Sequence, residues 1–226
     1  MAKVIVPHSS CRANIFETKE AEIETTRLRM ASSFLCQAAL TLLLAVGCSA
    51  QTPEAVFEFL PSQTTVTFTL GDVIHTVHGA FALKRGKVTY DLSTGEISGE
   101  IVVDATSGHT GIGMRDRKMH KEVLESAKYP DISFRPDRVD GKVGVNGISN
   151  VQVHGNFTIH GGDHEMTIPV QVNIAQDHWT ATGHFVVPYA KWGIKNPSTF
   201  VLRVSESVAI DVRASGQTPQ TTNSPR

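Results

Sequence analysis

Cysteine is scarce in this 226-residue chain and absent from its larger part: Cys11, Cys36 and Cys48 all precede residue 51. The remainder has no disulfide framework and no thiolate to serve as nucleophile or metal ligand. A charge excess of one sign is missing too. Five basic and four acidic residues lie in the first 29 and none in 30–50; removing them from the totals of 21 and 22 leaves sixteen basic against eighteen acidic. No Lys/Arg cluster gathers where it could form a groove, so the electrostatic footprint of a nucleic-acid binder is lacking. Catalytic signatures are absent as well: there is no G-x-S-x-G elbow, no H-E-x-x-H pair and no phosphate loop. These absences point to a protein that is not an enzyme and needs no cofactor.

Long apolar runs are also rare. The only strong one without alternation is AALTLLLAV, residues 38–46, followed by the small residues Gly47 to Ala50 and then by polar Gln51, Thr52 and Pro53. It is too short to cross ~30 Å of hydrocarbon, which takes roughly 20 helical residues, and residues 30–50 read as a signal peptide. The competing reading of the run is a buried core helix. Cleavage after Ala50 and cleavage before Cys48 are both open, the latter because Ala45-Val46-Gly47-Cys48 loosely resembles a lipoprotein box with Ala where Leu is usual. Both imply a periplasmic or secreted domain; the second adds a lipid anchor on Cys48 and peripheral membrane association. Residues 1–29 are either an unstructured extension ending in Arg27-Leu28-Arg29 or a mis-assigned start, with translation beginning at Met30. Residues 51–214 are enough for one ordinary globular domain. The segment from Ser215, SGQTPQTTNSPR, has no apolar residue and is expected to be a disordered tail over 215–226.

What the chain has in abundance is period two. Val66, Phe68 and Leu70 alternate, as do Val73, His75, Val77, Gly79, Phe81 and Leu83, then Val88, Tyr90 and Leu92. The pattern resumes through Ile97, Gly99, Ile101 and Val103, through Ile132 and Phe134, and in three runs from Val151 to Val187 before a last one at Val208, Ile210 and Val212. Such alternation places one set of side chains on one sheet face. It predicts eight or nine strands, antiparallel because the connections are short. Closing that sheet into a barrel of about eight strands removes its edges and leaves an interior able to hold side chains or one elongated ligand. A five-residue echo, V-H-G-x-F at Val77–Phe81 and Val153–Phe157, suggests two similarly bent hairpins.

One stretch breaks the alternation. TGIGMRDRKMHKEVL, residues 110–124, puts Met119, Val123 and Leu124 on one helical face with charged residues around the rest, and Tyr129-Pro130 bars further helix. A helix is expected near residues 114–125, lying over one end of the barrel as a lid.

Three motifs in order carry a family resemblance. T-G-x3-R-D (Thr110, Gly111, Arg115, Asp116), K-Y-P-D-I-S-F (Lys128 to Phe134) and G-N-F-T-I-H-G (Gly155 to Gly161) resemble the YceI-like family of bacterial lipid- or polyisoprenoid-binding proteins. The resemblance covers roughly residues 54–213. It implies an extended lipocalin-like antiparallel barrel whose long apolar channel holds an isoprenoid or other lipid. The sequence departs from the family pattern at Phe157, where Leu is usual, and at Val187–Ser198, VPYAKWGIKNPS, which replaces a segment around R-S-D-F-G-I and removes charges from any headgroup site there.

Phe68, Phe81, Phe134, Phe157 and Phe185 lie on the apolar set of their strands and are the lining candidates, with core packing as their alternative role. Arg115 and Asp116 stand near the mouth; neighbours on a helix face different ways, so one is expected to anchor the helix and the other to be exposed, in a salt bridge or on a headgroup. Trp192 either gates the opening or packs on the barrel end. Among the nine histidines after residue 50, His75 and His78 fall on opposite strand faces, and His178 and His184 are about 20 Å apart at ~3.3 Å per residue. Only His160 and His164, straddling a turn at Gly161-Gly162-Asp163 beside Glu165, could share a metal, and no metal site is assigned. The expectation is a non-catalytic envelope carrier of a long-chain lipid. Its rivals are a metal-assisted enzyme at His160, Asp163 and His164, and a fully packed barrel that uses its helix to contact a protein.

Overall fold

The computed structural model describes residues 52–71, 76–198, 203–217 and 221–224. The proposed leader and extension, and His75 with its pairing to His78, lie outside the described residues.

The alternating segments become strands β1 (Thr52–Glu58), β2 (Thr65–Gly71), β3 (Thr76–Asp91), β4 (Ile97–His109), β5 (Asp131–Asp140), β6 (Gly147–Ile159), β7 (Gly162–Ile174), β8 (His178–Val187), β9 (Val208–Gln217) and β10 (Thr221–Ser224). Every pairing is antiparallel. Strands β2 to β9 run in order β3-β2-β9-β8-β7-β6-β5-β4, and a β3–β4 ladder closes them into an eight-stranded barrel. The predicted architecture is thus observed.

The long β3 is the seam. Its first half pairs with β2 (Val66 opposite Phe81) and its second half with β1 (Phe57 opposite Val88), so β1 and β2 occupy one strand position broken by a 3-10 turn at Pro61–Gln63. At the same end β10 pairs with β1, Thr52 opposite Ser224. This corrects the expected tail over 215–226: Ser215–Gln217 finish β9, and residues 221–224 form a strand without any apolar residue. The unpaired backbone of a strand edge is reason enough for a Thr-rich segment to add on.

Two glycines of the echoed motif show why the wall can bend. A Cβ on Gly79 would lie 2.3 Å from the Phe68 ring, and one on Gly155 would lie 2.4 Å from the Arg135 carbonyl and 2.8 Å from the Phe134 ring. In each hairpin the missing side chain is replaced by a phenylalanine from the neighbouring strand. Gly155 also faces Pro136, where the β5–β6 register shifts; a bulge is where a residue without an N–H can sit in a ladder.

The interruption is helical but short: α1 spans Gly113–Lys118 and passes directly into a single π turn, Met119–Val123. The turn between β6 and β7 is His160–Gly161, both with positive φ (53° and 76°), the two-residue hairpin geometry. It ends two residues earlier than a turn running through Asp163, because Gly162 is already paired with Ile159 and Asp163 with Thr158.

Candidate ligand-binding cavity

The inward residues do not meet in the middle. They surround a cavity of about 660 Å³ that runs from the Trp179 end of the barrel to α1. On β8 alone, Trp179, Ala181, Gly183, Phe185 and Val187 all line it. Eight residue steps of strand make about 26 Å, or about 20 Å along the axis at a tilt of ~40°. A size of this order suits a chain-like ligand.

At one end the cavity is stopped by aromatic packing. Trp179 is 1% exposed, with Phe57 and Phe59 edge-on to its ring at 5.4 and 5.0 Å, and Val88, Tyr90 and Ile174 belong to the same cluster. The surrounding hairpins leave this end without a separate cover.

The other end is closed by α1, the π turn and the segment 188–198. Met119, Val123 and Leu124 line the cavity, as their shared face predicts, and the Met119 methyl and the Phe81 ring both take up the space that a side chain on Gly108 would need. Polar side chains hold this cover. The Thr110 hydroxyl donates to Asp116 Oδ1 and accepts from Arg115 Nε at 2.8 Å; the Thr110 N–H donates to the same carboxylate at 2.9 Å, and Arg115 Nη2 donates to the Thr110 carbonyl. The T-G-x3-R-D motif is therefore a clasp built around its threonine. The expectation that Arg115 and Asp116 divide their labour is corrected: both turn back to Thr110, because the chain doubles over at Gly111 (φ 79°) and brings it alongside the first helical turn. Hydrogen bonds from Thr110, strengthened by nearby Arg115, hold the Asp116 carboxyl below its usual range despite some desolvation.

Further along, His120 bridges Ser126 Oγ (2.9 Å) and the Gly108 carbonyl (2.8 Å). Lys195 Nζ pairs with Glu122 at 2.8 Å and keeps that carboxyl low, while Lys118 Nζ donates to the Pro197 carbonyl. The segment that departs from the family pattern thus still ties to the helix. Tyr189, buried in the same segment, donates its hydroxyl to the Ser205 carbonyl; burial first, and Glu206 second, raise its pKa. Arg115 and Lys118 are the cations on the cavity wall among the described residues, and both stand at this mouth with Ile112 and Met114, which are 55% and 75% exposed.

Phe68, Phe81, Phe134, Phe157, Phe185 and Arg115 all line the cavity. Asp116 and Trp192 do not: Asp116 is turned into the clasp, and Trp192 stacks flat on His164 with ring centroids 4.0 Å apart, packing on Phe157 at the barrel end. Sequence reading missed Phe57 and Phe59, although Ala55, Phe57 and Phe59 alternate, and missed Trp179 as a stopper. It also missed Ile112, Met114 and Lys118, which carry no periodic signal.

The grouping of His160, Asp163 and His164 is pulled apart. His160 Nε2 meets Glu125 at 3.0 Å and its ring lies against Tyr129; Asp163 accepts from Thr158. Among the described residues, no three His, Cys, Asp or Glu side chains gather to hold a metal. The cavity itself rules out a fully packed barrel. Outward positions are largely polar, as in Glu165, Thr167, Gln171 and Asn173 along β7, and among the described residues no helix is long and apolar enough to cross a membrane.

A family model described as YceI-like domain matches residues 57–215. Among solved structures, the chain is similar to BcnA of Burkholderia cenocepacia, with a TM-score of 0.58 and 18% identity over 70% of this chain and 99% of that one. A polyisoprenoid binding domain from Saccharophagus degradans, implicated in plant cell wall breakdown, gives 0.57 and 14% over 74% and 99%. The YceI protein of Campylobacter jejuni gives 0.54 and 15% over 65% and 88%. At such identities the likeness is one of fold. No curated protein matches the chain.

Proposed function

The chain belongs to the YceI-like domain family, and from that membership and the shape of its interior we propose that it is a non-catalytic carrier holding a polyisoprenoid or other long-chain lipid. The observation that carries this reading is the apolar cavity of about 660 Å³ along the barrel. Each methylene removed from water contributes about 0.8 kcal/mol, so ten of them supply ~8 kcal/mol before the cost of ordering the chain. One neutral hydrogen bond is worth about 1 kcal/mol. The chain therefore sets affinity, and polar groups at the ends set orientation. The likeness to a polyisoprenoid binding domain adds support for the ligand class.

The cell envelope is the proposed location. Its support is the apolar run 38–46 with the small residues after it. The cover over the mouth acts as the lid through which ligand passes: Tyr189 and Ile194 anchor segment 188–198 in the core, whereas α1 and the π turn have no buried residue and are tied by an exposed ion pair and single hydrogen bonds.

The full chain, expressed in a bacterium, purified and extracted with organic solvent, should release a long-chain lipid identifiable by mass spectrometry. The delipidated protein should then take up N-phenylnaphthylamine with a rise in its fluorescence. An empty extract together with no dye uptake would exclude the carrier.

A further inference from the structure

The closed end of the cavity is not wholly apolar. Among the described residues three buried side-chain polar atoms have no hydrogen-bond partner: Thr64 Oγ1, Trp179 Nε1 and Asn156 Oδ1. The first two belong to residues that line this cavity, 7% and 1% exposed. They also share its closed end. Trp179 is paired with Gly216 of β9, with Nε1 2.7 Å from the point a Gly216 Cβ would occupy; Thr64 precedes Thr65, which is paired with Arg213 on the same strand. The two residues thus flank one stretch of β9 from either side. An unpaired polar group in an apolar interior costs roughly 1–3 kcal/mol, and it is retained where something else completes it.

The geometry points to a second recognition element within the proposed lipid site: Trp179 Nε1–H and Thr64 Oγ1 bind a neutral oxygen at the leading end of the ligand, deep in the barrel. The inference rests on the carrier reading and adds the ligand's chemistry and direction. Indole N–H only donates, while a threonine hydroxyl both donates and accepts. Their common partner is a carbonyl, ether or hydroxyl oxygen. A carboxylate or phosphate does not fit, because the cavity's cations, Arg115 and Lys118, are at the opposite end and an unpaired buried charge is prohibitively costly. The edge-on rings of Phe57 and Phe59 fix the indole plane, so the donor is preset before the ligand arrives. The ligand class is a long apolar chain with a neutral oxygen at its inner end, any anionic group being left at the mouth.

The test compares two probes of equal carbon count, hexadecane and hexadecan-2-one, displacing N-phenylnaphthylamine from the full-length protein. The wild type should prefer the ketone about tenfold. Trp179→Phe, which keeps a ring but loses the N–H, and Thr64→Val, which keeps the shape but loses the hydroxyl, should each remove most of that preference, read within each variant as the ratio of its ketone to its hexadecane affinity. Thr64→Val should also leave the unliganded denaturation midpoint unchanged or raised, because it deletes an unpaired group. A ketone preference that survives both substitutions, or a lowered midpoint in Thr64→Val, overturns the inference and spares the carrier. Failure of both probes and the dye to bind defeats the carrier reading and this inference with it.

Discussion

The two ends of the barrel are closed by different physics. At the Trp179 end, strands run into hairpins and the seal is an aromatic and aliphatic cluster whose centre, including Trp179, Phe57, Val88, Tyr90 and Ile174, is below a tenth exposed. At the α1 end, Tyr189 and Ile194 are buried beneath the opening, but the α1–π segment laid over it has no buried residue and is fastened by Thr110, His120, Lys118 and Lys195. Apolar burial is cooperative with the whole core and cannot be undone locally. Exposed ion pairs and single hydrogen bonds are worth about 0–1 kcal/mol each and can be broken one at a time. On this contrast rests the proposal that the α1 end is the one that opens.

The largest effect should come from the stopper. Trp179→Ala removes the most buried large side chain and leaves Phe57 and Phe59 facing a void, so it should cost about 3–5 kcal/mol of stability, read as a lower denaturation midpoint with unchanged slope. A loss under about 1 kcal/mol would mean that this end is not sealed by packing, and the contrast between the ends would fail.

A smaller and different effect is expected at the mouth. Met119→Ser combined with Val123→Ser removes the apolar underside of the cover while leaving the Thr110 clasp in place. Release of N-phenylnaphthylamine, followed by stopped flow, should quicken about tenfold, equivalent to about 1.4 kcal/mol, and the denaturation midpoint should fall less than in Trp179→Ala. Unchanged release from a folded variant would show that ligand leaves by another route.

The same contrast explains what could be read from the sequence. Strand alternation is a strong signal because each inward residue repeats it, and the residues it put on the inward face, Phe68, Phe81, Phe134, Phe157 and Phe185, line the cavity. The helical face of Met119, Val123 and Leu124 was legible for the same reason. The hydrogen-bonding of the mouth was not. That Arg115 and Asp116 converge on Thr110 depends on a chain reversal at Gly111, and no periodicity encodes it. For Trp192, a loop aromatic, gating and packing on the barrel end were equally open; it packs, and its place is set by His164, a residue twenty-eight positions earlier brought beneath it by the β6–β7 hairpin. The strand at 221–224 escaped notice because it is held by backbone pairing to β1, which leaves no mark on side-chain composition.

The smallest of these effects sharpens the comparison by pH. Asp116 accepts from both the N–H and the hydroxyl of Thr110, and these bonds favour its ionised form, lowering its pKa below the ordinary 3.8. A carboxylate whose folded pKa is depressed contributes stability above its unfolded pKa and loses that contribution as pH falls through the folded value. Asp116→Asn keeps an oxygen that can accept from Thr110 but removes the charge. Dye release from the variant should therefore exceed that from wild type between about pH 5 and 7, and the gap should close on acidification below 3.8 as the wild-type carboxyl takes up its proton. Trp179→Phe, altered at the other end, should run parallel to wild type through the same range. A gap that persists undiminished well below pH 3 would show that the charge of Asp116 plays no part in holding the cover, and that the clasp depends on the shape of the hydrogen bonds alone.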